Sequence, residues 1–590
     1  MFVSLRRSRP VLLLVLVALA TGPMTPLASQ GPPRSARAYP AGPVRCHQGE
    51  QQAYVRRFSP GLAHHQAPTV SSPSMVAPPS PSTSPIAMSN VAADRKAGGR
   101  IAAQPYPYPY PAPPSEERER YTGKDVASVH AVARDPVSTF SIDVDTGSYA
   151  NVRRFLTQGQ TPPEAAVRTE EMLNYFRYDY PVPAYRSVPF SVTTDMAVTP
   201  WNPDSRLLRI GIKGFDLPRS QRPPVNLVFL VDVSGSMFSP DKLPLVKSAL
   251  SMLADRLSPR DRVSIVVYAG AAGLVLPPTS DPLDVKAALD CLQAGGSTAG
   301  GQGMELAYAT ARANFIKGGV NRVIMATDGD FNVGISSDEG IEAIVKKNRE
   351  TGITLTTLGF GQGNYNEAMM EHVADIGNGN YAYIDSALEA QKVLDEEMAA
   401  TLFTIAKDVK IQIEFNPALI REYRLIGYEN RVLAEEDFNN DAVDAGDIGS
   451  GHQVTALYEL VPAGGRGWLP DHRYEDNRPA SAQTAAGAVM GEMAWLKLRY
   501  KLPDGDKSML IERPVSASMC ASAQAPRGDM AFVAAVAAFG QKLRGDKYLG
   551  SFSYTDIRQL AGDQRGRLRE EFLMLTKRAE DRQLATAHTD

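Results

Sequence analysis

Asp232, Ser234 and Ser236 stand at alternate positions at the end of an unbroken apolar run, VNLVFLVDVSGSM (225–237). One carboxylate and two hydroxyls at that spacing converge on a small volume, and Gly235 lets the backbone turn sharply between them. Hard oxygen donors of this kind suit Mg²⁺ or Ca²⁺, and no Cys or His stands among them to favour zinc. The run reads as a central strand of a parallel sheet, buried on both faces. Open α/β sheets hold their ligands just past the carboxyl ends of such strands. The competing reading is an ordinary strand-to-helix turn, with Asp232 or Ser234 as a helix cap.

Two later segments carry matching chemistry. Thr298 lies in a glycine-rich loop, AGGSTAGG, and Asp328 ends a second apolar run, VIMATDGD. Asp232, Ser234, Ser236, Thr298 and Asp328 together resemble the metal-ion-dependent adhesion site of the von Willebrand factor type A family. The resemblance implies that the serines and the threonine touch the metal directly or through water and that the aspartates act mostly through water. It also implies that one coordination position is left for an acidic residue of a protein partner. The stretch ITLTTLGFGQGNYNEAMMEHVADIGNGNYAYIDS is similar to the last strands and helices of that family. From 120 to the end the chain resembles a group of secreted bacterial A-domain proteins, through FSIDVDTGSYANVRRFL and EDFNNDAVDAGDIGSGHQVTALYEL. In that group an N-terminal extension precedes the A domain and a C-terminal domain of uncharacterised function follows it.

The elements that must position these residues follow from periodicity. Candidate strands at 225–232, 262–268, 321–327, 353–359 and 380–384 alternate with helical stretches. One of these, 240–257, carries Leu245, Val246, Ala249, Leu250, Leu253 and Leu257 as an apolar stripe. Such alternation predicts a doubly wound, mostly parallel α/β sheet covered on both faces. Outside it the pattern changes. In 189–217, Leu208, Ile210 and Ile212 share one face and Arg209 and Lys213 the other, as in a half-buried antiparallel strand. VKIQIEF (409–415), VTALYELV (454–461) and AWLKLRYKL (494–502) alternate likewise, and Asp504-Gly505 is a hairpin turn. Both sets are expected to build one β-sandwich into which the A domain is inserted, followed by a helical C-terminal tail. The expected boundaries are a signal peptide at 1–30, a disordered Pro-rich linker at 31–118 and a sandwich-contributing extension at 119–221. The A domain then occupies 222–402, the rest of the sandwich 403–525 and the helical region 526–590.

Arg6, Arg7 and Arg9 before VLLLVLVALATG (11–22) read as a secretory signal, the apolar core being too short for a comfortable membrane span. The protein is therefore expected to be exported to the periplasm or cell surface, with no integral span in the mature chain. Cys46 lies too far from the apolar core to serve as a lipoprotein anchor. The formal net charge of −3 implies no basic face for nucleic acid. Three widely spread cysteines suggest no disulfide framework, and Cys291 in ALDCL reads as a buried small hydrophobe. Asp143, Asp145 and Ser148 imitate a metal motif but read as turn and cap residues. Asp437, Asn439 and Asp441 read as a loop of solvated acids, with a weak Ca²⁺ site as the alternative. No nucleophile–base pair, Walker lysine or zinc-protease motif is present, so an enzyme is not expected. The expected function is an exported, divalent-metal-dependent protein-binding module, for adhesion or scaffolding. The alternatives are an envelope structural protein whose metal only stabilises loops, and an enzyme with its site in the C-terminal region.

Overall fold

The computed structural model describes residues 119–587, apart from 122, 143–144, 186, 297–299, 330–337, 364 and 471–490. The expectations for the signal peptide and linker, and those for Asp143 and Thr298, fall outside the described residues.

Eight consecutive buried residues make the strand Val225–Asp232. Its side chains divide by parity. Leu227, Phe229 and Val231 enter one apolar layer with Val246, Ala249, Leu250 and Leu253 of the helix Leu243–Ala254. Val228 and Leu230 enter another with Met304, Ala307, Tyr308 and Ala311 of the helix Gly300–Ala313. Because both faces are covered, no polar alternation survives in the sequence of this strand. It lies centrally in a six-stranded sheet of spatial order Tyr381–Ile384, Ile353–Phe360, Val320–Thr327, Val225–Asp232, Arg262–Tyr268, Ala272–Thr279. All neighbours are parallel except the last pair. The last strand, which periodicity does not reveal, carries Pro277 and Pro278; a sheet edge tolerates the missing amide donors.

This α/β unit is inserted in a β-sandwich. One sheet runs His130–Ala131, Ile420–Ile426, Gln453–Pro462, Asn202–Gly214, Phe190–Thr199. The other runs Ile448–Gly449, Thr404–Phe415, Glu492–Lys501, Ser508–Ser516, with Val137–Ser141 also paired to Thr404–Phe415. Each sheet thus mixes strands from before and after the insertion. Leu208, Ile210 and Ile212 meet Ile411, Ile413, Leu496 and Leu498 between the sheets. Leu207 and Leu457 point the other way, onto the buried helix Gly528–Leu543 of the C-terminal region. The stretch 189–217 is a hairpin of two strands, with Trp201 at the turn, and not the single strand expected. Among the described residues no helix is long and apolar enough to cross a membrane.

The turn 449–452 closes the insertion. Ser450 donates its amide to Phe403 on the outgoing chain at 2.8 Å, and its hydroxyl accepts from the Leu217 amide on the incoming chain at 2.7 Å. Gly449 passes so near the end of the α/β unit that a Cβ there would stand 1.6 Å from the Ala400 carbonyl oxygen. Gly449→Ala is therefore expected to destabilise by at least about 2 kcal/mol, since backbone must shift at the joint. Chemical denaturation of the full chain checks this; a change within about 0.5 kcal/mol, the range of an ordinary surface substitution, would contradict it.

Candidate metal centre

The end of the strand Val225–Asp232 lies beside that of Val320–Thr327, with Val231 opposite Ala326. Asp232 and Asp328 therefore sit at the carboxyl tips of adjacent parallel strands, and both are buried. Asp232 is held from two sides: Oδ1 accepts from the Ser234 amide at 2.8 Å, and Oδ2 from the Thr327 hydroxyl at 3.0 Å. Burial pushes its carboxyl up to about 6, and the Asp328 charge adds to the rise against the hydrogen bonds from Ser234 and Thr327. Ser234 and Ser236 place their hydroxyl oxygens 3.0 Å apart. A short 3₁₀ turn, Gly235–Phe238, follows, in which Met237 is buried and pins the loop down.

The Thr298-bearing loop is stitched to this turn through the two residues that immediately precede the undescribed stretch 297–299. Gly235 donates to the Gly296 carbonyl at 3.0 Å, and Gly295 to that of Val233 at 2.8 Å. Four of the five candidate residues are thus gathered at one end of the sheet; Thr298 itself lies outside the described residues. The helix-cap alternative is not what the structure contains. Ser234 makes no side-chain cap bond, and the helix Leu243–Ala254 begins well beyond it.

The donor set fits a hard divalent cation. Two buried carboxylates repel each other when both are ionised, and paired hydroxyls complete an oxygen-only cradle. No group of three or more His, Cys, Asp or Glu suited to a metal exists among the described residues. Sequence reasoning missed Thr327, which orients Asp232, and Lys242, which donates to Asp328 Oδ2 at 2.8 Å. The long separation of Lys242 from Asp328 hides that pair from local patterns.

Other candidates resolve differently. Asp441 is exposed, as expected of a solvated acid, and is also tied down: Arg499 donates to its carboxylate at 2.9 Å, Ser508 donates to the same oxygen, and Lys501 donates to its carbonyl. The loop is stapled to the sandwich. Asp145 and Ser148 are not caps of the helix Gly147–Thr157. Asp145 accepts from the Tyr381 amide at 3.0 Å and pairs with Arg431, while Ser148 bonds the Ala166 carbonyl and the Arg168 amide. Asp145 ties the extension to the edge strand of the α/β unit, and Ser148 holds the extension together internally. Cys291 is disulfide-bonded rather than a free buried thiol, and Cys520 is free. His452 keeps Nδ1 buried without a hydrogen-bond partner, and burial pulls its pKa down to about 4, so the ring is neutral at pH 7.

Residues 226–397 match the family model of the von Willebrand factor type A domain, and 115–209 match the model described as von Willebrand factor. Residues 400–581 match the model described as the C-terminal part of uncharacterized protein YfbK. The chain is 50% identical over 474 residues to uncharacterized protein YfbK of Escherichia coli (strain K12), covering 78% of this chain and 81% of that protein. The chain belongs to the YfbK family of von Willebrand factor type A domain proteins. Family membership thus accounts for the extension, the A domain and the C-terminal part together. A UPF0353 protein of Mycolicibacterium paratuberculosis (strain ATCC BAA-968 / K-10) is 32% identical over 155 residues, covering 24% of this chain and 46% of that protein. Among solved structures, a von Willebrand factor type A protein from Catenulispora acidiphila is 15% identical, covering 70% of this chain and 89% of that one, with a TM-score of 0.37.

Proposed function

We propose that this YfbK-family protein is exported and captures a protein partner through a divalent metal, Mg²⁺ or Ca²⁺, held by Asp232, Ser234, Ser236, Thr298 and Asp328. The observation that carries the reading is the meeting of two buried carboxylates and a hydroxyl pair at the tips of adjacent parallel strands. An acidic residue of the partner completes the metal's shell, giving a charge-assisted anchor. The reading is of a binder: the groups brought together are oxygen donors suited to a hard cation. Export is supported by the basic–apolar N-terminal run. The test is a pull-down from bacterial envelope extract in Mg²⁺ against chelator. Metal-dependent retention of a partner is expected; retention equal in both buffers would refute the mechanism.

Phe238 supplies specificity at the rim. It is 81% exposed, two residues after Ser236, on a turn made rigid by buried Met237 and by the Met237 amide bond to Ser234. A rigidly displayed aromatic beside a charge anchor has the properties of an interface hot spot. Phe238→Ala is expected to weaken partner binding about tenfold, by the 1–2 kcal/mol scale of such residues, while leaving the Mg²⁺-induced thermal shift unchanged. Interferometry with the purified partner measures it; equal affinity of variant and parent would remove Phe238 from the interface.

A further inference from the structure

Lys242 is buried just ahead of the helix Leu243–Ala254, and its ammonium donates to Asp328 Oδ2 at 2.8 Å. A cation belonging to the chain therefore engages one of the two carboxylates that would serve the metal. The lysine has a built berth. Its stem lies across Gly361, in the turn after the strand Ile353–Phe360, where a Cβ would come within 2.3 Å of Lys242 Cγ and Cε. Gly361 also has φ of +73°, a conformation that other residues adopt only with strain. Lys242 thus joins the tips of two neighbouring strands, one through charge and one through packing.

The arrangement answers a physical problem. Asp232 and Asp328 are both desolvated and close enough for the charge of one to disfavour ionisation of the other. Buried carboxylates without a counter-charge destabilise a fold, and while the metal is absent that counter-charge must come from the chain itself. We propose that Lys242 is the resident counter-ion of this site. It balances Asp328 in the metal-free protein, so that the A domain folds without metal, and it competes with the divalent ion for that carboxylate. This rests on the metal-binding reading above and deepens it: the metal serves capture rather than folding, and its affinity is held below what the oxygen donors alone would give. Occupancy is then set to respond to the ion's concentration.

The test is a double-mutant cycle on the full chain, with Lys242→Met, Asp328→Asn and the pair. In EDTA, Lys242→Met is expected to lower the unfolding temperature clearly in the parent background and little in the Asp328→Asn background. MgCl₂ is expected to restore much of the loss in Lys242→Met, and calorimetric titration to show Mg²⁺ binding at least about tenfold tighter than to the parent, because a repelling, competing charge is gone. An unchanged unfolding temperature in EDTA, or an equal loss in both backgrounds, overturns the counter-ion role. Unchanged Mg²⁺ affinity overturns the competition. If Lys242→Met does not fold in either buffer, folding of the double variant supports the proposal and its failure to fold overturns it. Absence of Mg²⁺ and Ca²⁺ binding by both parent and Lys242→Met refutes the metal reading and the competition with it, while the cycle in EDTA still decides the counter-ion role by itself.

Discussion

Asp232→Ala is expected to reduce Mg²⁺-dependent partner capture at least about a hundredfold. A unit charge 4 Å from a cation at an effective dielectric of 20 is worth about 4 kcal/mol, and more against a divalent ion, so even a partly screened loss exceeds the roughly 2.7 kcal/mol that a hundredfold represents. The fold should survive. The substitution strands the Ser234 amide and the Thr327 hydroxyl, each at a cost of about 1–3 kcal/mol if water cannot reach it. It also removes a desolvated carboxylate that Asp328 repels, which offsets part of that cost. Asp232→Asn separates the two effects. Its oxygen still accepts from the Ser234 amide and its amide nitrogen can donate to the Thr327 hydroxyl oxygen while the charge is gone, so it should unfold near the parent temperature in chelator and still fail to capture. The measurements are interferometry in Mg²⁺ and in EDTA, with thermal unfolding beside them. If Asp232→Ala in chelator binds partner as the parent does in Mg²⁺, the metal anchor does not exist.

The parts of this molecule that were legible in its sequence are those where one physical signal dominates. The strand Val225–Asp232 announces itself because both faces are buried, and the polar residues that follow mark its tip. Leu208, Ile210 and Ile212 disclose a sandwich strand because their shared face meets the other sheet, while Arg209 and Lys213 on the opposite face keep the alternation visible. The strand Ile420–Ile426 escaped the same reasoning because it buries charge. Arg424 lies inside, bonded to Glu459 at 2.8 Å and to Asp546 at 2.9 Å, so its sequence, IREYRLI, does not look like a core strand. Asp145 and Ser148 were read as local turn chemistry because Asp and Ser satisfy backbone groups nearby in most chains. Their partners here, Tyr381, Arg431 and Ala166, come from three other parts of the chain. Lys242 was invisible for a related reason: a lysine before an amphipathic helix is ordinarily a solvated residue, and only tertiary packing brings it to Asp328. Local periodicity thus reports burial, whereas the pairing of buried charges is decided by contacts that periodicity does not carry.

Arg168→Met is expected to destabilise the protein by about 3–5 kcal/mol, the usual result of taking one partner from a buried ionic cluster. Arg168 stands just before the helix Thr169–Asn174 of the extension, with its guanidinium buried among three carboxylates. Glu171 is 2.9 Å away, Glu367 3.6 Å, and Glu371 in direct hydrogen-bonded contact. Glu367 and Glu371 belong to the helix Glu367–Ile376 of the A domain, so this cation helps hold the extension to the inserted unit, as Arg153 does through Asp385 and Glu389. Without it, Glu371 keeps Arg431 at 3.5 Å and Glu367 keeps the Asn151 amide at 2.9 Å, but Glu367 loses its ion pair with Arg168. The deficit should depend on pH in a fixed direction. Burial and the neighbouring Glu171 and Glu371 already push the Glu367 carboxyl up to about 8 against the pull of Arg168. A carboxyl whose folded pKa lies above its unfolded value binds more protons when native, so its contribution to stability falls as pH rises from about 4.5 through the folded pKa. Removing the arginine raises that folded pKa further. Arg168→Met should therefore be least damaging near pH 5 and most damaging above pH 8, and adding Glu367→Gln should recover part of the loss at high pH. Denaturant unfolding of parent, single and double variants across that range decides it. A loss that is small at every pH, or that grows on acidification, would mean that the arginine only packs against the helix Glu367–Ile376 and does not hold the two parts together by charge.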